Sequence, residues 1–181
     1  MKFSELIKIR QSVRSYTNKP VEKEKLDICL EAARLAPSAS NSQPWKYIVI
    51  DDKELKEKIA LATFDRVVKF NKFALQAPVM IVVVLEKPKL VTQMGIEIKK
   101  REWPLIDIGI TTEHFCLQAA ELGLGTCMIG WFDQKRIQKL LNIPFKKTIG
   151  LLITLGYAPD DYDLRKKSRK DNSEIISNNK Y

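Results

Sequence analysis

Apolar and polar positions follow two rhythms along this chain, and the rhythm changes at prolines and glycines. Phe3, Leu6 and Ile7 fall at helical spacing. From Arg10 onward, "RQSVRSYT" brings β-branched and hydroxyl residues that favour extended backbone. "PVEKEKLDICLEAARLAPS" returns to helical spacing: Pro20 opens it, Leu26, Cys29, Leu30 and Ala33 form one apolar face, and Pro37 stops it. "PWKYIVID" predicts a short strand and "KELKEKIALAT" a charged helix. "APVMIVVVLE" is an unbroken apolar run behind Pro78, the pattern of a strand buried on both faces. "PLIDIGITTEHFCLQAAELGLG" predicts a long, largely apolar helix ended by Gly123 and Gly125. It feeds a strand at "TCMIG", a short amphipathic helix at "DQKRIQKLLNI" and another buried strand at "TIGLLITLGYAP".

These elements fit one domain spanning residues 1–181. Two segments stand apart from it. Residues 86–104 mix charges with Met94, Ile96, Ile98 and Trp103, and read either as a lid over a site or as a surface excursion. Residues 160–181 are too polar to build a core alone, yet Ile175 and Ile176 need burial, as in an arm laid on a partner subunit.

Composition narrows the function classes. The chain has 31 Lys and Arg against 22 Asp and Glu, a formal charge of +9, with five cations in "LRKKSRK". A basic balance permits nucleic acid, a membrane surface or an anionic small molecule. No recognition-helix, RNP-like or zinc-finger pattern supports nucleic acid, and no adjacent amphipathic helix with aromatic anchors supports a membrane. The opening "MKFSELIKIR" carries no apolar signal-peptide core, and no stretch reaches membrane-spanning length. Cys29, Cys116 and Cys127 are odd in number and each sits in an apolar run, so they read as core packing and predict a cytoplasmic location. A single histidine, His114, argues against histidine metal sites and nucleophile–histidine pairs.

Two stretches carry candidate chemistry. In extended chain Arg10, Ser12 and Arg14 point the same way, aiming two guanidinium groups and a hydroxyl at one place. Either these are solvated arginines on a basic protein, or they grip a phosphate, whose oxygens match arginine forks. "LAPSASNSQPWKY" crowds Ser38, Ser40, Asn41 and Gln43 between a helix and a strand. Such neutral groups suit a planar heterocycle, or they satisfy a turn's own backbone. There is no G-x-G-x-x-G and no G-x-x-x-x-G-K-[ST] sequence, so neither a Rossmann dinucleotide site nor a nucleotide-triphosphatase loop is indicated.

The stretches "IRQSVRSYTNKPV", "AARLAPSASNSQPWKYIVI", "APVMIVVV", "LQAAELGLGTCMIGWFD" and "LGYAPDD…KKSRK", in that order, make the chain resemble the nitroreductase family of flavin enzymes. The resemblance implies an α+β, three-layer fold with a central mixed sheet flanked by helices. It also implies an intertwined homodimer with FMN at the subunit interface. By that resemblance Arg10, Gln11, Ser12, Lys167 and Arg169 hold the phosphate and ribityl chain, and Arg14 lies near the pyrimidine edge of the ring. Pro37, Ser38, Ala39 and Asn41 match a loop laid on the flavin by the partner subunit, and Asn71 an asparagine that contacts the ring. Met128, Ile129 and Gly130 match the backbone passing flavin N5, where Gly130 is the catalytic position. Family members often have an acid followed by glycine where this chain has Gly130 and Trp131.

The implied activity is hydride transfer from NAD(P)H through FMN to an electron-poor acceptor such as a nitroaromatic or quinone, by a ping-pong route. Alternatives are an FMN carrier or sensor without turnover, or a related flavin reaction such as dehalogenation or heterocycle dehydrogenation. A cation at Arg14 would stabilise the negative charge that reduction places near flavin N1.

Overall fold

The computed structural model describes residues 1–67 and 69–181. A four-stranded sheet runs through the middle in the order β1-β2-β4-β3, with β1 Trp45–Ile50, β2 Val79–Leu85, β3 Gly125–Ile129 and β4 Ile149–Gly156. Every neighbouring pair is antiparallel. The parallel part of the expected mixed sheet is one bridge, Ser12 to Thr126, where the extended 10–14 segment lies against β3. The reason is local: a helix precedes this segment and Tyr16 turns it inward, so it has no length for a full strand.

Helices cover both faces, giving the α+β three-layer architecture. On one side, Ile81 and Val83 of β2 and Ile153 and Leu155 of β4 pack on α2 (Lys23–Arg34) and α5 (Trp103–Glu121) through Leu26, Cys29, Phe115 and Cys116. On the other, Met80, Val82 and Val84 pack on α3 (Lys53–Ala60) and α6 (Gln134–Leu140) through Ile59 and Ile137. Alternate residues of β2 thus serve opposite layers, and Val79 through Val84 are all buried. Each such side chain contributes about 1.5–3 kcal/mol of burial. Asp52 and Asp133 start α3 and α6 by accepting from Leu55 N–H at 2.8 Å and Arg136 N–H at 3.0 Å.

The remaining helices lie at the margins. α1 (Phe3–Ile9) leads into the extended segment. α4 (Leu90–Lys99) forms within residues 86–104, with Leu90, Val91, Met94 and Ile98 exposed. α7 (Asn172–Ile175) ends the tail, and Ile175 and Ile176 are exposed. No helix among the described residues is long and apolar enough to cross a membrane.

Candidate functional site

The two ends of the chain build one cationic cradle. Arg10, Gln11, Ser12, Arg165, Lys167 and Arg169 line a cavity of about 330 Å³. Gln11 is the buckle: its Nε2 donates to Asp163 O at 3.1 Å, and its Oε1 accepts from Arg165 N–H at 3.1 Å. The Arg165 guanidinium also donates to Ser12 O, and the Lys167 ammonium to Arg10 O at 2.5 Å. Both cations are thus tied to backbone with charge to spare.

The described lining of the cradle contains no carboxylate; the acid in contact is Glu113, whose Oε2 lies 3.1 Å from Arg10 Nη2. Arg10 Nε is buried without a hydrogen-bond partner. Burial, then the nearby Arg169 and Arg10, hold the Lys167 ammonium pKa below its usual value, because concentrated positive charge disfavours another proton. A bound phosphate would reverse that balance.

The 10–14 segment keeps its place through β3 and Tyr16. Val13 N–H donates to Thr126 O at 2.8 Å. Tyr16 O–H donates to Val13 O at 2.9 Å and meets Thr154 Oγ1 at 2.7 Å. Gly125 allows the close approach, since a Cβ there would strike Val13. Arg14 departs from the expected common aim: it is exposed and does not line the cradle, while its N–H donates to Tyr162 O–H at 2.9 Å. With only one bridge to β3, the extended segment twists and carries position 14 away from positions 10 and 12.

The amide-rich loop is a second, separate construction. Ser40, Asn41 and Gln43 adopt left-handed backbone, with φ of 51°, 50° and 47°. Non-glycine residues hold such angles only when surroundings over-determine them. Here Ser38 Oγ accepts from Gln43 N–H at 2.9 Å, and Gln43 Nε2 donates to Asn41 Oδ1 at 2.7 Å. Thr92 of α4 meets Ser42 Oγ at 2.6 Å and donates to Ala39 O at 3.3 Å. Underneath, Asp107 Oδ1 of α5 accepts from Ala39 N–H at 3.1 Å, while its buried Oδ2 has no partner. Burial raises the Asp107 pKa, only partly offset by the Ala39 bond. Pro37, Ser38, Ala39 and Asn41 thus lie in one loop held on α5, outside the lining of the cradle. Asp107 and Glu113 are about 9 Å apart along that helix and roughly 120° around it.

A third group flanks the end of β3. Asn71 is buried, and its Nδ2 donates to Thr63 O at 3.0 Å and Trp131 O at 3.3 Å. It pins the backbone just after Met128, Ile129 and Gly130. Gly130 is exposed, and a Cβ there would meet nothing within 4 Å. Trp131 stands out from the surface with 55% of its area exposed, available to a flat ligand.

The thiols do not join this chemistry. All three are free and buried. Burial pushes Cys116 up to about 11 and Cys29 to about 12. Cys127 is raised by burial against the opposing pull of Arg14, the Ser12 contact, Arg10 and Arg165. Protonated thiols are poor nucleophiles. His114 lies half-buried on α5 in an apolar groove with α1 and α2.

The model of the nitroreductase family matches residues 7–157. The chain belongs to the nitroreductase family. A relative from Archaeoglobus fulgidus, provisionally named NADH dehydrogenase/NAD(P)H nitroreductase, is 30% identical over 184 residues covering 97% of each chain. A nitroreductase family protein from Clostridium difficile 630 superposes with a TM-score of 0.82 at 30% identity, covering 100% of both chains. An FMN-dependent nitroreductase from Clostridium difficile R20291 gives 0.79 at 31% identity, covering 97% of this chain and 98% of that one. The family match stops before residues 165–169, so the tail's half of the cradle rests on this chain's own contacts.

Arg165 and Asp107 are absent from the expected site residues. Arg165 shares the basic run with Lys167 and Arg169, which concealed its separate backbone role. Asp107 left a usable signal: a lone acid inside the apolar stretch "PLIDIGI".

Proposed function

We propose that this nitroreductase family member is an FMN-dependent oxidoreductase that takes hydride from NAD(P)H and delivers it to an electron-poor nitroaromatic or quinone-like acceptor. The observation that carries the reading is the cradle: an unpaired buried nitrogen of Arg10, the serines Ser12 and Ser168, and a carboxylate-free cationic lining. That donor set fits the phosphate of FMN. Bound FMN supplies the redox chemistry, accepting a hydride and passing it on.

The chain's own residues bind and orient. Arg10, Ser12, Lys167 and Arg169 hold the phosphate, with Gln11 and Arg165 locking the two cradle walls together. Arg14 is assigned to the pyrimidine edge of the ring, and the Gly130 N–H to N5. The absence of a side chain at Gly130 leaves room for the donor. Asn71 keeps that backbone in place through Trp131 O. Trp103, Trp131, Phe132 and Met94 are assigned to the acceptor pocket, and α4 to a lid hinged on Thr92 and Ser42.

We assign the cradle of one protomer and the 37–43 loop of its partner to the same flavin, which makes the enzyme a homodimer with two FMN. Leu105 and Ile106 of α5 and the exposed apolar residues of α4 supply a face for it, and Ile175 and Ile176 an arm.

Absorbance and anaerobic reduction test the function. The purified protein, alone or after FMN addition, should be yellow and bleach with NADH or NADPH. A colourless protein that stays colourless refutes FMN binding, and yellow protein that neither nucleotide bleaches refutes the oxidoreductase. Sedimentation decides the dimer: an FMN-loaded monomer at micromolar concentration overturns it.

A further inference from the structure

A second cationic hollow lies outside the cradle. Arg66, Lys69, Lys72 and Arg136 line a cavity of about 460 Å³ together with Phe64 and Asp65. All four cations are exposed, against the single carboxylate of Asp65, whose Oδ1 accepts from Val67 N–H at 2.7 Å. The hollow is anchored to the fold: Arg136 Nη1 donates to Leu61 O at 3.3 Å, and Arg136 N–H is capped by Asp133 at 3.0 Å. It is also joined to the exit of β3. Asn71, between Lys69 and Lys72 in sequence, donates from its amide to Trp131 O at 3.3 Å. Exposed Phe70 and Trp131 add flat apolar surface on the same stretches.

A hydride donor placed over Gly130 must run its adenosine half outward across neighbouring surface. A phosphate monoester carries about −1.5 to −2 charge, whereas each phosphate of a pyrophosphate bridge carries less. Arginine forks from Arg66 and Arg136 suit monoester oxygens, and the aromatic rings suit adenine. We propose that this hollow receives the adenosine 2′-phosphate of the reductant, so that the enzyme selects NADPH over NADH. The inference rests on the proposed hydride donor.

Anaerobic stopped-flow on the FMN-loaded protein, with NADPH, NADH and phosphate-free N-benzyl-1,4-dihydronicotinamide as donors, tests it. Exposed ion contacts are individually weak and screened, so NADPH should saturate at roughly tenfold lower concentration than NADH at low salt, with a smaller gap at physiological salt. In a Lys69→Gln/Lys72→Gln variant, efficiency with NADPH relative to the benzyl donor should fall by about the same factor. Equal saturation by NADPH and NADH, unmoved by the variant while the benzyl donor bleaches FMN, overturns the phosphate site and leaves the oxidoreductase standing. If no donor bleaches FMN, the proposed function fails instead. Calorimetric binding of adenosine 2′,5′-bisphosphate then decides the hollow alone: tighter binding than adenosine 5′-monophosphate, weakened in the variant, supports it, and equal binding overturns it.

Discussion

Replacing Gly125 with alanine asks whether the close approach of the 10–14 segment to β3 sets the cradle. A Cβ at this position would lie 2.7 Å from Val13 Cγ2, 2.8 Å from its Cβ and 2.9 Å from its Cγ1. Ordinary carbon contacts begin near 3.4 Å, so roughly 0.7 Å must be recovered. Rotating Val13 cannot recover it, because its Cβ is itself part of the clash. The backbone must move, against the Val13 bond to Thr126 at 2.8 Å and the Tyr16 bond to Val13 at 2.9 Å. Overpacking of this kind costs about 1–3 kcal/mol, readable as an earlier urea midpoint with unchanged slope. Gly95→Ala, where a Cβ meets nothing within 4 Å, is the control and should melt no earlier than wild type. Because Val13 adjoins Ser12, the same shift misplaces the cradle, and FMN affinity should fall about tenfold, more than riboflavin affinity. An alanine variant that melts and binds FMN like wild type would refute the coupling.

Arg10→Ala or Arg169→Ala should weaken FMN about 10- to 100-fold from a lost charged hydrogen bond, and riboflavin much less, when both flavins are titrated into apo protein. For Asp107, the folded pKa is raised, so the native state holds its proton longer than the unfolded chain. Stability from this group is therefore lost as pH rises from the unfolded carboxylate pKa through the folded one, and urea melts across that window should flatten in Asp107→Asn. Asp107→Ala should additionally loosen the 37–43 loop, seen as faster amide exchange at Ala39. The Lys167 pKa is depressed, so apo protein should gain stability from it as pH rises from the folded pKa toward the usual lysine value. Saturating FMN should abolish or reverse that gain.

The legible parts of the sequence were those whose signal is local. The six-residue buried stretch Val79 to Val84 and the glycine-ended α5 follow directly from hydrophobic runs and their terminators. Helix caps shifted boundaries slightly, as at α2, which begins at Lys23 after Glu22 rather than at Pro20. The cradle was half legible: alternation brought Arg10 and Ser12 together, but backbone twist removed Arg14, which no spacing rule reports. Glu113, distant in sequence, tempers Arg10, a pairing that only tertiary packing creates. The loop's crowded amides were visible, whereas its support from Asp107 and Thr92 depends on how α4 and α5 approach it.

The buckle of Gln11 onto Asp163 and Arg165 has a consequence for how the molecule is made. Its two halves stand 152 and 154 residues apart in sequence, so closing it is a long-range step that local contacts do not prepare. β4, an interior strand of the sheet, ends at Gly156, a few residues before Asp163. Seating that strand carries the tail toward Gln11, which makes the cradle a late product of folding and an early part to open when the tail lifts.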